Sequence, residues 1–334
     1  MVFPNQTPFT LEARFLWEVL KWGVMLKGTR LYQLLVSIVF LAVLGYLLSS
    51  LKLGLVYKEL VALDPMYLFL GALILAVAAL LKIYRFQIVV RIYGFEIPFL
   101  EAALVQMVGI SFATLTPGRV GEGSKAVLLN KRADVPISSA LGMIIFERFF
   151  DMILLATGAF LFSQSVLQRE FALAIGLFLA ALVVFFILFL RHFNSIKRFV
   201  PKRYIEYFTP VSAGGGMHLS LLALIFTAAT WLTEALFPWL LARSMGANVS
   251  FTLVFGVLCI STIAVVLSVL PAGLGTMDLS FLVLLPKIGV TAETALSILL
   301  IYRFFGIITP FIFSLVLLNL KKTSFKEIRS DMGG

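Results

Sequence analysis

Thr116-Pro117-Gly118-Arg119-Val120-Gly121-Glu122-Gly123-Ser124-Lys125 interrupts one long apolar run, and Leu270-Pro271-Ala272-Gly273-Leu274-Gly275-Thr276-Met277-Asp278 interrupts another much later. Each break follows an apolar segment and precedes a helix-forming one. Each sets a glycine four residues after a proline, and each is followed about 30 residues on by an arginine inside an apolar stretch, Arg148 and Arg303. Two similar broken segments in corresponding halves of a membrane chain are the pattern of an internal repeat with its substrate site near the bilayer midplane.

Working outward, 61% of the 334 residues are hydrophobic and 13% charged, more apolar surface than a soluble core of this size can hide. The apolar runs suit helices crossing about 30 Å of hydrocarbon, and no ten-residue alternation points to a barrel. The expected fold is therefore an all-α, multi-pass membrane protein with six full transmembrane helices, over about 31–50, 66–84, 137–164, 171–190, 219–241 and 291–318. Two re-entrant helical hairpins, 98–132 and 249–285, are expected to form an inverted-topology repeat with elements at about 84–190 and 249–318. Residues 1–30 carry Arg14, Trp17, Lys21, Trp22, Lys27 and Arg30 without a cleavable apolar core, and read as an interfacial amphipathic helix. Residues 31–320 then form a single transmembrane domain, and 321–334 a cytoplasmic tail.

The formal charge of +10 points here to loops facing an anionic leaflet, not to a nucleic-acid partner. Lys and Arg gather at the N-terminus, 82–91, 119–132, 191–203 and the tail, which predicts a cell-membrane protein with both termini cytoplasmic. The one cysteine, Cys259, excludes an internal disulfide. His192 and His218 stand in no metal-ligand spacing, and neither a metal nor another cofactor is expected.

Glu147, Arg148 and Asp151 fall within two turns of one helix, where each ion costs roughly 2.5–3.5 kcal/mol at the bilayer centre and so demands partners or water. They read either as a self-neutralising lock between helices or as substrate-facing groups. The trio is one positive charge short, which Arg303, Lys125, Arg119 or a substrate cation supplies. The stretch from Pro117 to Lys125 predicts a half-helix whose free N–H groups favour a phosphate or carboxylate, with Gly121 letting the backbone come close. The plainer alternative is a turn in which Glu122 neutralises the helix end. A nucleotide-binding P-loop is excluded, because Gly123-Ser124-Lys125 has the required order reversed. Asp278 fits the first turn of a second half-helix. Glu234, alone in an apolar span, reads as functional or as a partner of Arg303.

In these residues the chain resembles the membrane (flippase) domain of the lysylphosphatidylglycerol synthase/flippase family. The matching marks are Pro117-Gly118-Arg119-Val120-Gly121-Glu122, Glu147-Arg148 with Asp151, Pro271-Ala272-Gly273-Leu274-Gly275, and Arg303, across roughly residues 30 to 320. Ala272 stands where the family usually has a second glycine, and Thr276-Met277-Asp278 keeps only the acid of a basic-acidic pair. The soluble aminoacyl-transfer domain of some relatives has no counterpart in these residues, so the resemblance implies the stand-alone form. It implies a non-enzymatic flippase or scramblase for an anionic or aminoacylated phospholipid or a polyprenyl-phosphate-linked lipid. A separate lipid synthase or glycosyltransferase, or a second copy of the chain, would be its protein partner. The expected substrate-binding residues are Arg119, Gly121, Glu122, Lys125, Glu147, Arg148, Asp151, Glu234, Asp278 and Arg303. A lipid-modifying enzyme with Glu122 or Asp151 as general base, and a non-transporting scaffold for a synthase, are the alternatives.

Overall fold

The computed structural model describes residues 53–166, 169–196, 216–267 and 275–320. The expected interfacial helix, the first span, the basic 197–215 connection, the core of the second break (Leu270 to Leu274) and the tail lie outside them. Among the described residues the chain is all-α, with ten α-helices and no strand. They are α1 (Leu53–Ala62), α2 (Pro65–Ile92), α3 (Phe99–Leu115), α4 (Ser124–Ala133), α5 (Ile137–Val166), α6 (Arg169–Ile196), α7 (Gly216–Ser244), α8 (Phe251–Leu267), α9 (Thr276–Lys287) and α10 (Ala292–Leu320). A 3-10 helix, Pro117–Gly123, joins α3 to α4. Three of these helices, α2, α7 and α10, are long and apolar enough to cross a membrane. α5 is as long, but Glu147, Arg148 and Asp151 interrupt its apolar run.

Local chemistry sets the helix ends. Asp64 accepts the Met66 N–H at 2.8 Å and Pro65 occupies the first turn of α2, where its missing N–H costs nothing. α2 stops at Gly94 (φ +79°), with the Phe95 N–H turned back to the Val90 carbonyl at 3.2 Å. α7 stops the same way at Gly246 (φ +82°), with Ala247 bonded to Ala242 at 2.9 Å. In both, a left-handed glycine lets the chain satisfy the last carbonyls. The next segments are also held alike. Gln87 Nε2 donates to the Ile97 carbonyl at 3.0 Å, and Trp239 Nε1 to the Val249 carbonyl at 3.1 Å.

Each of these pairs, Gly94 with Gly246, Gln87 with Trp239 and Ile97 with Val249, is separated by 152 residues, the spacing that also divides Lys82 from Glu234. α3 and α8, both 17 residues long, obey the same register. The repeat therefore includes α2 and α7 as well as the two hairpins and the helices after them. α2 and α7 pack along their length: Gly71 faces Phe237, Lys82 bonds Glu234, and Tyr84 lies near Phe226. Numbers rise on one helix as they fall on the other, so these corresponding helices run antiparallel, as an inverted repeat requires.

The halves also interlock. Ser111 on α3 meets Ser314 on α10 at 3.1 Å, while α8 lies on α5, with Gly158 against Cys259 and Phe255 and Gly256 against Phe162. Glycine at these crossings lets the helices approach closely in the absence of a strong hydrophobic drive. α6 lies outside α5 and turns Leu177, Phe178, Val184 and Phe185 outward, a face suited to hydrocarbon.

One boundary differs in meaning from the sequence expectation. Lys82, Arg85 and Arg91 were expected to mark the exit of a span ending near Tyr84, but α2 continues to Ile92 and Arg85 is 2% exposed. The helix need not end at these charges because partners satisfy Lys82 and Arg85 inside the bundle. Arg119 and Lys125, counted with the cytoplasmic cations, also lie in the interior of the bundle.

Candidate functional site

Six charged side chains close into a ring. Arg85 on α2 donates through Nη1 to Asp151 Oδ1 at 2.6 Å and through Nη2 to Glu147 Oε1 at 2.9 Å. Lys125 Nζ lies 2.8 Å from Glu147 Oε2 and 2.9 Å from Glu122 Oε1. Arg148 completes the circuit, 3.0 Å from Glu122 and 2.9 Å from Asp151 Oδ2. Three cations and three carboxylates alternate, so the ring is formally neutral. With Glu122 added, the trio of the sequence reading is two positive charges short, and Lys125 and Arg85 supply them.

The surrounding helices make room for this ring. The stem of Lys125 occupies the space a Cβ at Gly109 would need, and its ammonium sits 5.3 Å from the centre of the Phe86 ring. Trp231 Nε1 donates a further bond to Asp151 Oδ1 at 2.9 Å. Removing ions from water is expensive, and the cost is offset only where each finds several partners, as here.

The ring adjoins a cavity of about 190 Å³ lined by both halves. Its cationic lining is Lys82, Arg85, Arg119, Arg148 and Arg303, and its acidic lining is Asp151 and Glu234. Gln106, Thr230, Trp231, Thr262 and Tyr302 add polar edges to an otherwise largely aliphatic wall. Arg148 belongs to both structures, with 29% of its side chain exposed while its two terminal nitrogens hold the ring.

Of the residues expected from sequence, Arg119, Arg148, Asp151, Glu234 and Arg303 line this cavity. Glu122, Lys125 and Glu147 are buried in the ring. Glu234 pairs with Lys82 at 2.5 Å, not with Arg303. Arg303 instead bonds Asp278, whose other oxygen accepts the Gly275 N–H at 2.8 Å and caps α9. Gly121 faces the α3 backbone at Phe112 and the Thr116 hydroxyl, and its N–H donates to Thr116 Oγ1 at 2.7 Å. Its close approach is thus to the protein, and α4 begins only at Ser124, after the 3-10 segment has used the intervening residues.

Sequence reasoning passed over Lys82, Arg85, Trp231 and Gln106 as site residues. The 152-residue register carries the signal for the first of these, since it sets Lys82 against Glu234. Arg85 lies three residues beyond Lys82, one helical turn, and on the same face.

The family described as lysylphosphatidylglycerol synthase TM region matches residues 30–314. The chain is 23% identical over 339 aligned positions to the UPF0104 membrane protein MJ1595 of Methanocaldococcus jannaschii, covering 90% of this chain and 96% of that one. It is 32% identical over 100 residues to the phosphatidylglycerol lysyltransferase of Staphylococcus haemolyticus, covering 30% of this chain and 12% of that protein. The inner membrane protein YbhN of Escherichia coli is 29% identical over 111 residues, 33% of this chain and 34% of its own length. With nearly the whole chain inside that match, the protein belongs to the lysylphosphatidylglycerol synthase TM-region family.

Proposed function

We propose that this protein carries a lipid head group between leaflets, as a flippase or scramblase for an anionic or aminoacylated phospholipid or a polyprenyl-phosphate-linked lipid. The observation that carries the reading is the cavity between the two halves, where five cations face two carboxylates. Such a site shields a charged head group from hydrocarbon, while the aliphatic remainder of the wall suits the start of its chains. Family membership and the resemblance to a phosphatidylglycerol lysyltransferase support a lipid as the cargo. The protein acts without catalysing a chemical change, in the cell membrane, with both termini cytoplasmic. A separate lipid synthase or glycosyltransferase is the fitting protein partner.

Purified protein in proteoliposomes tests this. With a fluorescent phospholipid on one leaflet, the wild type is expected to speed loss of asymmetry and to return the lipid chemically unchanged. Arg148→Lys and Arg303→Lys are expected to fold and to lose most of that rate, because one ammonium cannot keep the carboxylate contacts of the guanidinium and still present charge to the cavity. Chemically altered lipid, or no acceleration with any phospholipid or polyprenyl-phosphate sugar, sinks the proposal. For the orientation, a cysteine at Ser330 is expected to react only from the cytoplasm and one at Gln168 only from outside.

A further inference from the structure

Gln106 is fully buried on α3, lines the cavity, and has no hydrogen-bond partner for either its amide nitrogen or its amide oxygen. Exchanging the two atoms leaves the same two groups unsatisfied, so the observation does not depend on how the amide is oriented. An unpaired buried amide is costly, and one aimed into a cavity is accounted for by a ligand that completes it. The register of the repeat sharpens this. The position matching Gln106 in the second half is Leu258, so the fold itself does not require an amide there.

Arg119 lines the same cavity, and its Nε is also buried without a partner. Its φ of +58° is a left-handed conformation that costs an ordinary residue free energy. Aligned on the prolines, its counterpart in the second break is Gly273. A glycine would serve the turn, yet an arginine is held there with its side chain at the cavity.

The carboxylates point the other way. Asp151 already accepts from Arg85, Arg148 and Trp231, and Glu234 is paired with Lys82. Glu122 and Glu147 lie in the ring and do not line the cavity. Among the described residues, both cavity carboxylates already serve cations of the protein, Asp151 through both oxygens and Glu234 through Oε1 to Lys82, while five cations line the same space.

We infer that Gln106 and Arg119 form the head-group subsite of the transport cavity, and that its ligand is an anionic phosphodiester lipid bearing a head-group hydroxyl, not a cationic aminoacylated lipid. Arg119 and the Gln106 amide N–H donate to the phosphate, and the Gln106 carbonyl accepts from the hydroxyl. The inference rests on the reading that a lipid head group enters this cavity, and it adds the chemical class.

The test is equilibrium binding to the purified full chain in detergent, so that it does not depend on transport. Four dioctanoyl or chain-free probes separate the possibilities: phosphatidylglycerol, phosphatidylmethanol (the same charge without a head-group hydroxyl), lysyl-phosphatidylglycerol and water-soluble glycerophosphoglycerol. Phosphatidylglycerol is expected to bind about tenfold more tightly than phosphatidylmethanol, the value of one well-placed hydrogen bond in a buried site. Gln106→Met keeps the shape, and is expected to remove that tenfold difference while leaving phosphatidylmethanol affinity within about twofold; folding is checked by the melting temperature. Arg119→Met should weaken both anionic lipids. Lysyl-phosphatidylglycerol binding as tightly as phosphatidylglycerol, or Gln106→Met lowering both anionic lipids equally or neither, overturns the subsite. Equal binding of glycerophosphoglycerol overturns the lipid as its source. Preserved selectivity in a protein that moves no lipid in vesicles would sink the transport proposal and leave the subsite standing.

Discussion

Positions 85 and 147 in the first half hold an ion pair, and the matching positions in the second half, Phe237 and Tyr302, hold two aromatic rings 6.2 Å apart. Around them the substitution continues. Asp151 corresponds to Gly306 and Glu122 to Thr276, and among the members of the ring only Arg148 keeps its chemistry, as Arg303. One backbone plan thus closes equally well over a charge ring or over packed aromatic side chains. Buried ion pairs and well-packed apolar residues of similar volume are often nearly equivalent in stability, which explains why both solutions persist. They differ in what happens when one member is lost.

That asymmetry is the largest effect to measure. Lys125→Met breaks two fully buried ion pairs at once, leaving Glu122 with Arg148 alone and Glu147 with Arg85 alone, and is expected to cost about 3–5 kcal/mol in detergent unfolding measurements. A loss under about 1 kcal/mol would mean that water reaches the ring. Arg303→Met is expected to cost less, about 1.5–3 kcal/mol, because Asp278 keeps its capping bond to Gly275.

The two glycines that follow the prolines offer a further contrast. At Gly121 an added Cβ runs into the Phe112 carbonyl, which is backbone and cannot step aside, so Gly121→Ala is expected to cost about 1–3 kcal/mol by overpacking. Gly275 has a φ of +93°, and there the same substitution acts through backbone strain. The smallest effect is expected at the partly exposed Lys82–Glu234 pair, with a coupling of about 1 kcal/mol or less in a double-mutant cycle with Met, read from melting curves.

Much of this architecture was legible in the chain. The paired breaks separate α3 from α4 and α8 from α9, and the apolar runs gave α5, α7 and α10 to within a few residues, because helix length and hydrophobicity are local properties. Arg85 was misjudged for a physical reason: a basic residue near the end of an apolar run ordinarily marks the membrane surface, and only its contacts with Glu147 and Asp151, 62 and 66 residues away, allow it to stay inside. Gln106 was visible only as one polar letter in an apolar segment, since nothing local tells a satisfied amide from an unsatisfied one. The role expected of Gly121 had the right cause, close approach, but a different neighbour.

The Lys82–Glu234 contact has an evolutionary consequence. Equivalent positions that touch each other lie on the axis relating the halves, and in an ancestor made of two identical chains such a position would meet its own copy. Lysine would then face lysine, or glutamate glutamate. A complementary pair becomes available once the two copies diverge, so this contact records that divergence: neither half, duplicated on its own, would restore the charge match there.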